Sequence, residues 1–150
     1  MVETDEIRAF LEQHHSAAMI TLRPDGTPHA VRVGVVLVDG KLWSSGLPGR
    51  VRTGYLRRDP RCTLFVFDPA YGYVTLETTV TLLEGPDAPE QSVRLFRVMQ
   101  AGRMEPSTPG GLFWEGQEKS PEEFRRIMAE QRRLIYECEI QRAYGMYGAR

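Results

Sequence analysis

The chain has 150 residues, 41% of them hydrophobic, and a net charge of -1 from 19 Lys and Arg against 20 Asp and Glu. That length suits one domain with its own core, spanning residues 1–150, and the composition excludes a disordered or fibrous chain. The near-neutral balance disfavours a dedicated nucleic-acid binder. Two cysteines exclude a disulfide scaffold or a Cys-rich zinc site, and no apolar run reaches the roughly 20 residues of a membrane span.

In chain order, Thr4 is placed as the N-cap of a first helix, with Asp5 and Glu6 at its positive end. Ile7, Phe10 and Leu11 form its apolar face. The acidic start lacks the basic and apolar pattern of a signal peptide, which points to a cytoplasmic protein. Residues 17–23 and 28–39 read as strands separated by the turn Pro24-Asp25-Gly26. Asp39-Gly40 is a two-residue hairpin signal leading into a third strand over 41–45. A helix follows and ends before Asp59-Pro60. Strands are expected at 61–68 and 71–83, and a helix at 88–101 with Val93, Leu95 and Phe96 on its apolar side. Gly102 to Gly116, with Phe113 and Trp114, reads as a functional lid or a static loop. Ser120-Pro121-Glu122-Glu123 opens a further helix as a capping box, and 134–140 is a closing strand. Several antiparallel strands with a few helices predict an α+β fold with a closed or nearly closed sheet.

The chemistry points to Ser44-Ser45-Gly46-Leu47-Pro48-Gly49-Arg50-Val51-Arg52. This is a strand end, a glycine-bearing turn and a helix start, with two hydroxyls and two guanidiniums nearby. Helix N-termini offer free N–H donors and partial positive charge, and Arg adds charge-assisted pairs, a combination suited to phosphate. A capped helix with solvated arginines is the plainer alternative. Arg57, Arg58 and Arg61 sit where cations complement a helix C-terminus and are read as structural. His14 and His15 read as a helix-end polar pair rather than a metal site, and Cys62 and Cys138 as small buried hydrophobes. No Ser-His-Asp order, HExxH, P-loop or GxGxxG occurs, no carboxylate pair stands out, and no catalytic residue is assigned.

Four stretches carry a family resemblance. They are Ile20-Thr21-Leu22-Arg23-Pro24-Asp25-Gly26-Thr27-Pro28-His29, Leu42-Trp43-Ser44-Ser45, Gly49-Arg50-Val51-Arg52 and Leu56-Arg57-Arg58-Asp59-Pro60-Arg61. In order and spacing the chain resembles the split β-barrel flavin and deazaflavin oxidoreductases, which include pyridoxamine 5'-phosphate oxidase-like proteins. The short chain and the Gly-Arg-Val-Arg turn look more like the branch called flavin/deazaflavin oxidoreductase group B. The resemblance implies an antiparallel split β-barrel (FMN-binding, pyridoxamine 5'-phosphate oxidase-like) with peripheral helices. It places the cofactor phosphate on Ser44, Ser45, Gly46, Arg50, Val51 and Arg52. Val31, Arg32, Val33 and Gly34 would run along the tricyclic ring. Tyr73 and Thr75 would come from the partner of a homodimer with the cofactor at the subunit interface. The family often has an aromatic residue where Gly34 stands, which implies a roomier ring pocket here. The implied activity is hydride transfer from reduced coenzyme F420 to an unsaturated or conjugated small molecule. FMN is the alternative cofactor, and a non-catalytic F420-binding carrier the alternative role.

Overall fold

The computed structural model describes residues 4–148. Four helices, α1 (Asp5–Gln13), α2 (Val51–Arg58), α3 (Ala88–Gln100) and α4 (Pro121–Glu130), accompany nine strands among those residues. The strands are β1 (Ser16–Leu22), β2 (Pro28–Gly34), β3 (Val36–Val38), β4 (Lys41–Gly46), β5 (Arg61–Phe67), β6 (Tyr73–Leu83), β7 (Leu112–Trp114), β8 (Gln117–Lys119) and β9 (Leu134–Met146). Seven of them form one antiparallel sheet in the order β2-β1-β5-β6-β9-β4-β3. β2 and β3 lie at opposite edges of that sheet yet are joined by Val35 alone. So short a link requires the sheet to roll up until its edges meet. Ser44 Oγ donates to the Gly34 carbonyl at 2.8 Å across that closing seam. The α+β split barrel expected of the sequence is the observed fold.

Strand alternation sets the core. Ala17, Met19, Leu64, Val66, Val74, Leu76, Tyr136 and Cys138 point inward and are buried together. α1 closes one side with Ile7, Phe10 and Leu11, and Thr4 caps it by accepting from the Ile7 N–H at 3.2 Å. α3 covers the outer side of β3 and β4, where Val36, Val38, Trp43, Leu95 and Ile135 form a second core. α4 begins with the complete capping box at Ser120 and Glu123, and it buries Phe124 and Met128 against Val93 and Leu112. The hairpin at Asp39-Gly40 forms as its sequence predicts, with both residues at positive φ (49° and 80°).

Three expectations change. The single strand over 28–39 is broken at Val35. Its N–H donates to the His15 carbonyl at 2.8 Å, and its own carbonyl accepts from His15 Nδ1 at 2.9 Å, so both backbone groups leave the ladder and the chain changes edges there. The closing strand runs on past Ile140 to Met146. A register shift opposite Glu77/Thr78 leaves Gln141 out of the pairing and switches the inward parity, which blurs the alternation in sequence. Finally, the segment around Phe113 and Trp114 is the hairpin β7–β8. Its Trp114 packs edge-on against Phe96 (5.5 Å) and Phe124 (5.7 Å), so these aromatics brace α3 and α4 as the static reading expects.

Candidate functional site

The end of β4 and the start of α2 build the site. Along β4 the side chains alternate, so Ser44 points inward and Ser45 outward. Ser44 is 1% exposed and its hydroxyl is used on Gly34. The Ser45 hydroxyl oxygen is buried without a partner. Gly46 lies directly over Tyr136, and a Cβ there would overlap the ring. The Tyr136 hydroxyl lies 2.5 Å from Thr53 Oγ1, and Thr53 donates to the Leu47 carbonyl at 2.7 Å. A buried pair from β9 and α2 therefore fixes the path of the turn between β4 and α2.

Arg50 is the N-cap of α2 and makes no side-chain cap bond. Val51 is 59% exposed, so its side chain adds little to the core. The Arg52 guanidinium sits over the Tyr136 ring, 5.6 Å from its centroid, while its Nε is buried without a partner. Among the described residues, no carboxylate lies within ion-pair distance of Arg50 or Arg52. Arg133, just before β9, joins them. Pairing of Gly46 with Leu134 sets it beside the turn, and burial first, then the charges of Arg50 and Arg52, push its guanidinium pKa down. Sequence reading missed Arg133 because only the β4–β9 ladder brings residues 46 and 134 together.

The neighbouring arginines behave differently. Arg57 makes a bidentate pair with Glu84 (2.7 Å for both bonds), Arg58 donates to the Leu22 carbonyl at 2.7 Å, and Arg61 pairs with Asp59. They are structural, as their position implies. Free guanidinium capacity lies at the N-terminal end of α2 and its charged neighbour, where an anion could use it.

The remaining expected site residues are spread over the barrel. Val31 and Val33 pack against the main core and can present only backbone, whereas Arg32 is exposed and reaches Ser16 Oγ at 3.4 Å. Space beside Gly34 is taken up by Met99, whose methyl lies 2.9 Å from where a Cβ would stand, so the pocket there is not simply roomier. Tyr73 stacks on Phe65 with ring centroids 5.0 Å apart, and Thr75 is buried beside Tyr144 in the register. Leu83 is the β6 residue level with Ser45, and Tyr73 lies ten residues away on that strand, about 30 Å of extended chain. Ser44, Ser45, Gly46, Arg50 and Arg52 thus stand together, while Tyr73 and Thr75 of the same chain do not reach them.

A phosphate fits this cluster. It would neutralise guanidiniums that no described carboxylate meets, and the orphaned Ser45 hydroxyl and Arg52 Nε lie on the two elements that flank the turn. The rolled barrel is an oxidoreductase-type, flavin-binding split barrel. The pyridoxamine 5'-phosphate oxidase family profile matches residues 3–136, and the chain belongs to that family. Among solved structures, an F420 reductase is similar at 17% identity, covering 95% of this chain and 98% of the other with a TM-score of 0.65. A conserved hypothetical protein from Mycobacterium tuberculosis matches at 20% identity, 98% and 86% coverage and a TM-score of 0.71. A heme storage protein from Vibrio cholerae matches at 12% identity, 99% and 96% coverage and a TM-score of 0.62. At such identities the likeness is one of fold. No curated protein matches the chain.

Proposed function

We propose that the chain is a cytoplasmic coenzyme F420-dependent oxidoreductase, active as a homodimer, that reduces an unsaturated or conjugated small molecule. One observation carries the reading: two buried donors without partners, Ser45 Oγ and Arg52 Nε, flank a turn rich in unpaired guanidinium. That arrangement suits the phosphate of a bound cofactor. The choice of F420 rests on the Gly-Arg-Val-Arg turn and the family resemblance, and a solved F420 reductase with this fold is in keeping with it.

When bound, the reduced deazaflavin supplies the hydride. The protein's part is to hold and orient. Ser45, Arg50 and Arg52 anchor the phosphate, with Gly46 giving backbone access and Val51 shaping the turn's exposed rim. The bend at Gly34, fixed by Ser44, sets β2 along the ring, where Val31, Arg32 and Val33 offer an edge of backbone. A partner subunit contributes Tyr73 and Thr75 and excludes water from the ring.

The dimer has a surface to use. Outward-facing residues of β1, β5, β6 and β9 form an apolar strip that includes Ile20, Phe65, Tyr73, Tyr144 and Met146. Phe65, Tyr144 and Met146 are 36%, 50% and 52% exposed in the single chain.

FMN is the second reading, favoured by the match to the pyridoxamine 5'-phosphate oxidase family, because the same groups would hold its phosphate. Reduced F420 mixed with the protein and a panel of quinones, enones and tetrapyrroles tests the catalytic claim. Acceptor-dependent loss of reduced F420 is the expected result. Tight F420 binding with every acceptor inert would make the protein a carrier instead.

A further inference from the structure

We propose that Arg133 is a third guanidinium of the phosphate anchor, held toward it by Trp114 and Gln131. This rests on the reading of the β4–α2 turn as an anion site, but not on which cofactor occupies it.

Among the described residues, Arg133 has no ion-pair partner. It is half-buried at the residue preceding β9, next to the end of β4. Its guanidinium lies 5.1 Å from the centroid of the Trp114 ring, and its Nε donates to Gln131 Oε1 at 2.9 Å. Neither partner carries a negative charge. Glu115 exerts an acidic influence from beyond ion-pair distance, so it offsets only part of the repulsion from Arg50 and Arg52. Three like charges gathered without a counter-ion are unfavourable in the protein alone. An anion among them removes that cost.

The support around Arg133 also has the form of a positioning device. Trp114 stands on the β7–β8 hairpin and is fixed edge-on by Phe96 and Phe124. The hairpin is itself tied to α3, because the Phe113 backbone exchanges two bonds with the Gln100 amide, each 2.9 Å. The backbone N–H of Arg133 donates to the Met128 carbonyl at 2.9 Å, which fixes where the side chain leaves α4's C-terminal turn. Cation–π contact orients a guanidinium without neutralising it, and so leaves its N–H groups for another ligand. A surface arginine needs none of this.

Inorganic phosphate is the probe. Its binding to the full chain is followed at fixed ionic strength by calorimetry and by the fluorescence of Trp114, with Trp43 replaced by Phe. The wild type should bind phosphate and change its Trp114 emission on saturation. Arg133→Gln should weaken phosphate by about tenfold or more, the equivalent of one charge-assisted bond. Arg133→Lys should recover part of that loss, which a purely structural role would not produce. Arg133→Gln with wild-type phosphate affinity, while Arg52→Gln loses it, overturns the assignment. So does a wild type that binds no phosphate. Phosphate binding without affinity for F420 or FMN leaves Arg133 in the anchor and defeats the cofactor reading alone.

Discussion

Single side chains decide whether the turn binds a cofactor. Ser45 and Arg52 each bury a polar atom that finds no partner among the described residues, and a buried unmet donor costs about 1–3 kcal/mol. A ligand that satisfies them recovers that free energy on binding. Arg52→Ala is therefore expected to weaken cofactor binding by about 1–3 kcal/mol. Arg50→Ala should act in the same direction. Equilibrium titration of both variants checks this, and unchanged affinity in both would remove the turn from the site.

Asp59 illustrates a charge used for structure instead. Its carboxylate accepts from the Arg61 side chain at 2.7 and 3.0 Å and from the Arg61 backbone N–H, and these bonds pull its pKa from the ordinary 3.8 to about 2. The folded-state value lies below the unfolded one, so the stabilisation is present above about pH 4 and is lost as pH falls through about 2. An NMR titration of the Asp59 carboxyl should show a midpoint near 2, and a midpoint at 3.8 would mean the Arg61 contact is absent in solution.

At the scale of elements, the proposed phosphate turn is shaped where β4, α2 and β9 meet over Tyr136. Gly46 permits that closeness. Gly46→Ala would push a methyl group into a ring whose hydroxyl is held by Thr53. Overpacking of this kind costs about 1–3 kcal/mol, and thermal unfolding of the variant should show a loss in that range together with weaker cofactor binding. A Gly46→Ala variant as stable as the wild type would mean the Tyr136 ring can move aside.

Elements also show what sequence can reveal. The capping box of α4 and the Asp39-Gly40 hairpin are local signals, and each appears in the structure where the sequence places it. Ser45, Arg50 and Arg52 were legible for the same reason, since they lie within eight residues. The break at Val35 was not, because it depends on His15, twenty residues earlier, drawing both backbone groups of Val35 out of the ladder. β9 beyond Ile140 was hidden by its bulge. Arg133 was hidden by distance along the chain, having no motif around it and coming beside the turn only through strand pairing.

Over the whole molecule, the average charge of -1 conceals a local concentration of guanidinium at one end of the barrel. The opposite feature is the apolar strip through Phe65, Tyr144 and Met146, which one chain leaves in water. A dimer that covers it would also bring the partner's β6 toward the ring. Phe65→Arg should lower the dimer's association and weaken cofactor binding together, as measured by sedimentation equilibrium and ligand titration. A monomeric variant that binds cofactor as the wild type does would show that one subunit suffices.

The most direct test of the account is a parallel titration of the apo protein with oxidised F420 and with FMN, in the wild type and in Arg52→Ala. The account predicts tighter binding of F420 than of FMN and a loss of about 1–3 kcal/mol in the variant. Tight binding of FMN with none of F420 would contradict the F420 assignment, and F420 binding untouched by the substitution would contradict the anchor.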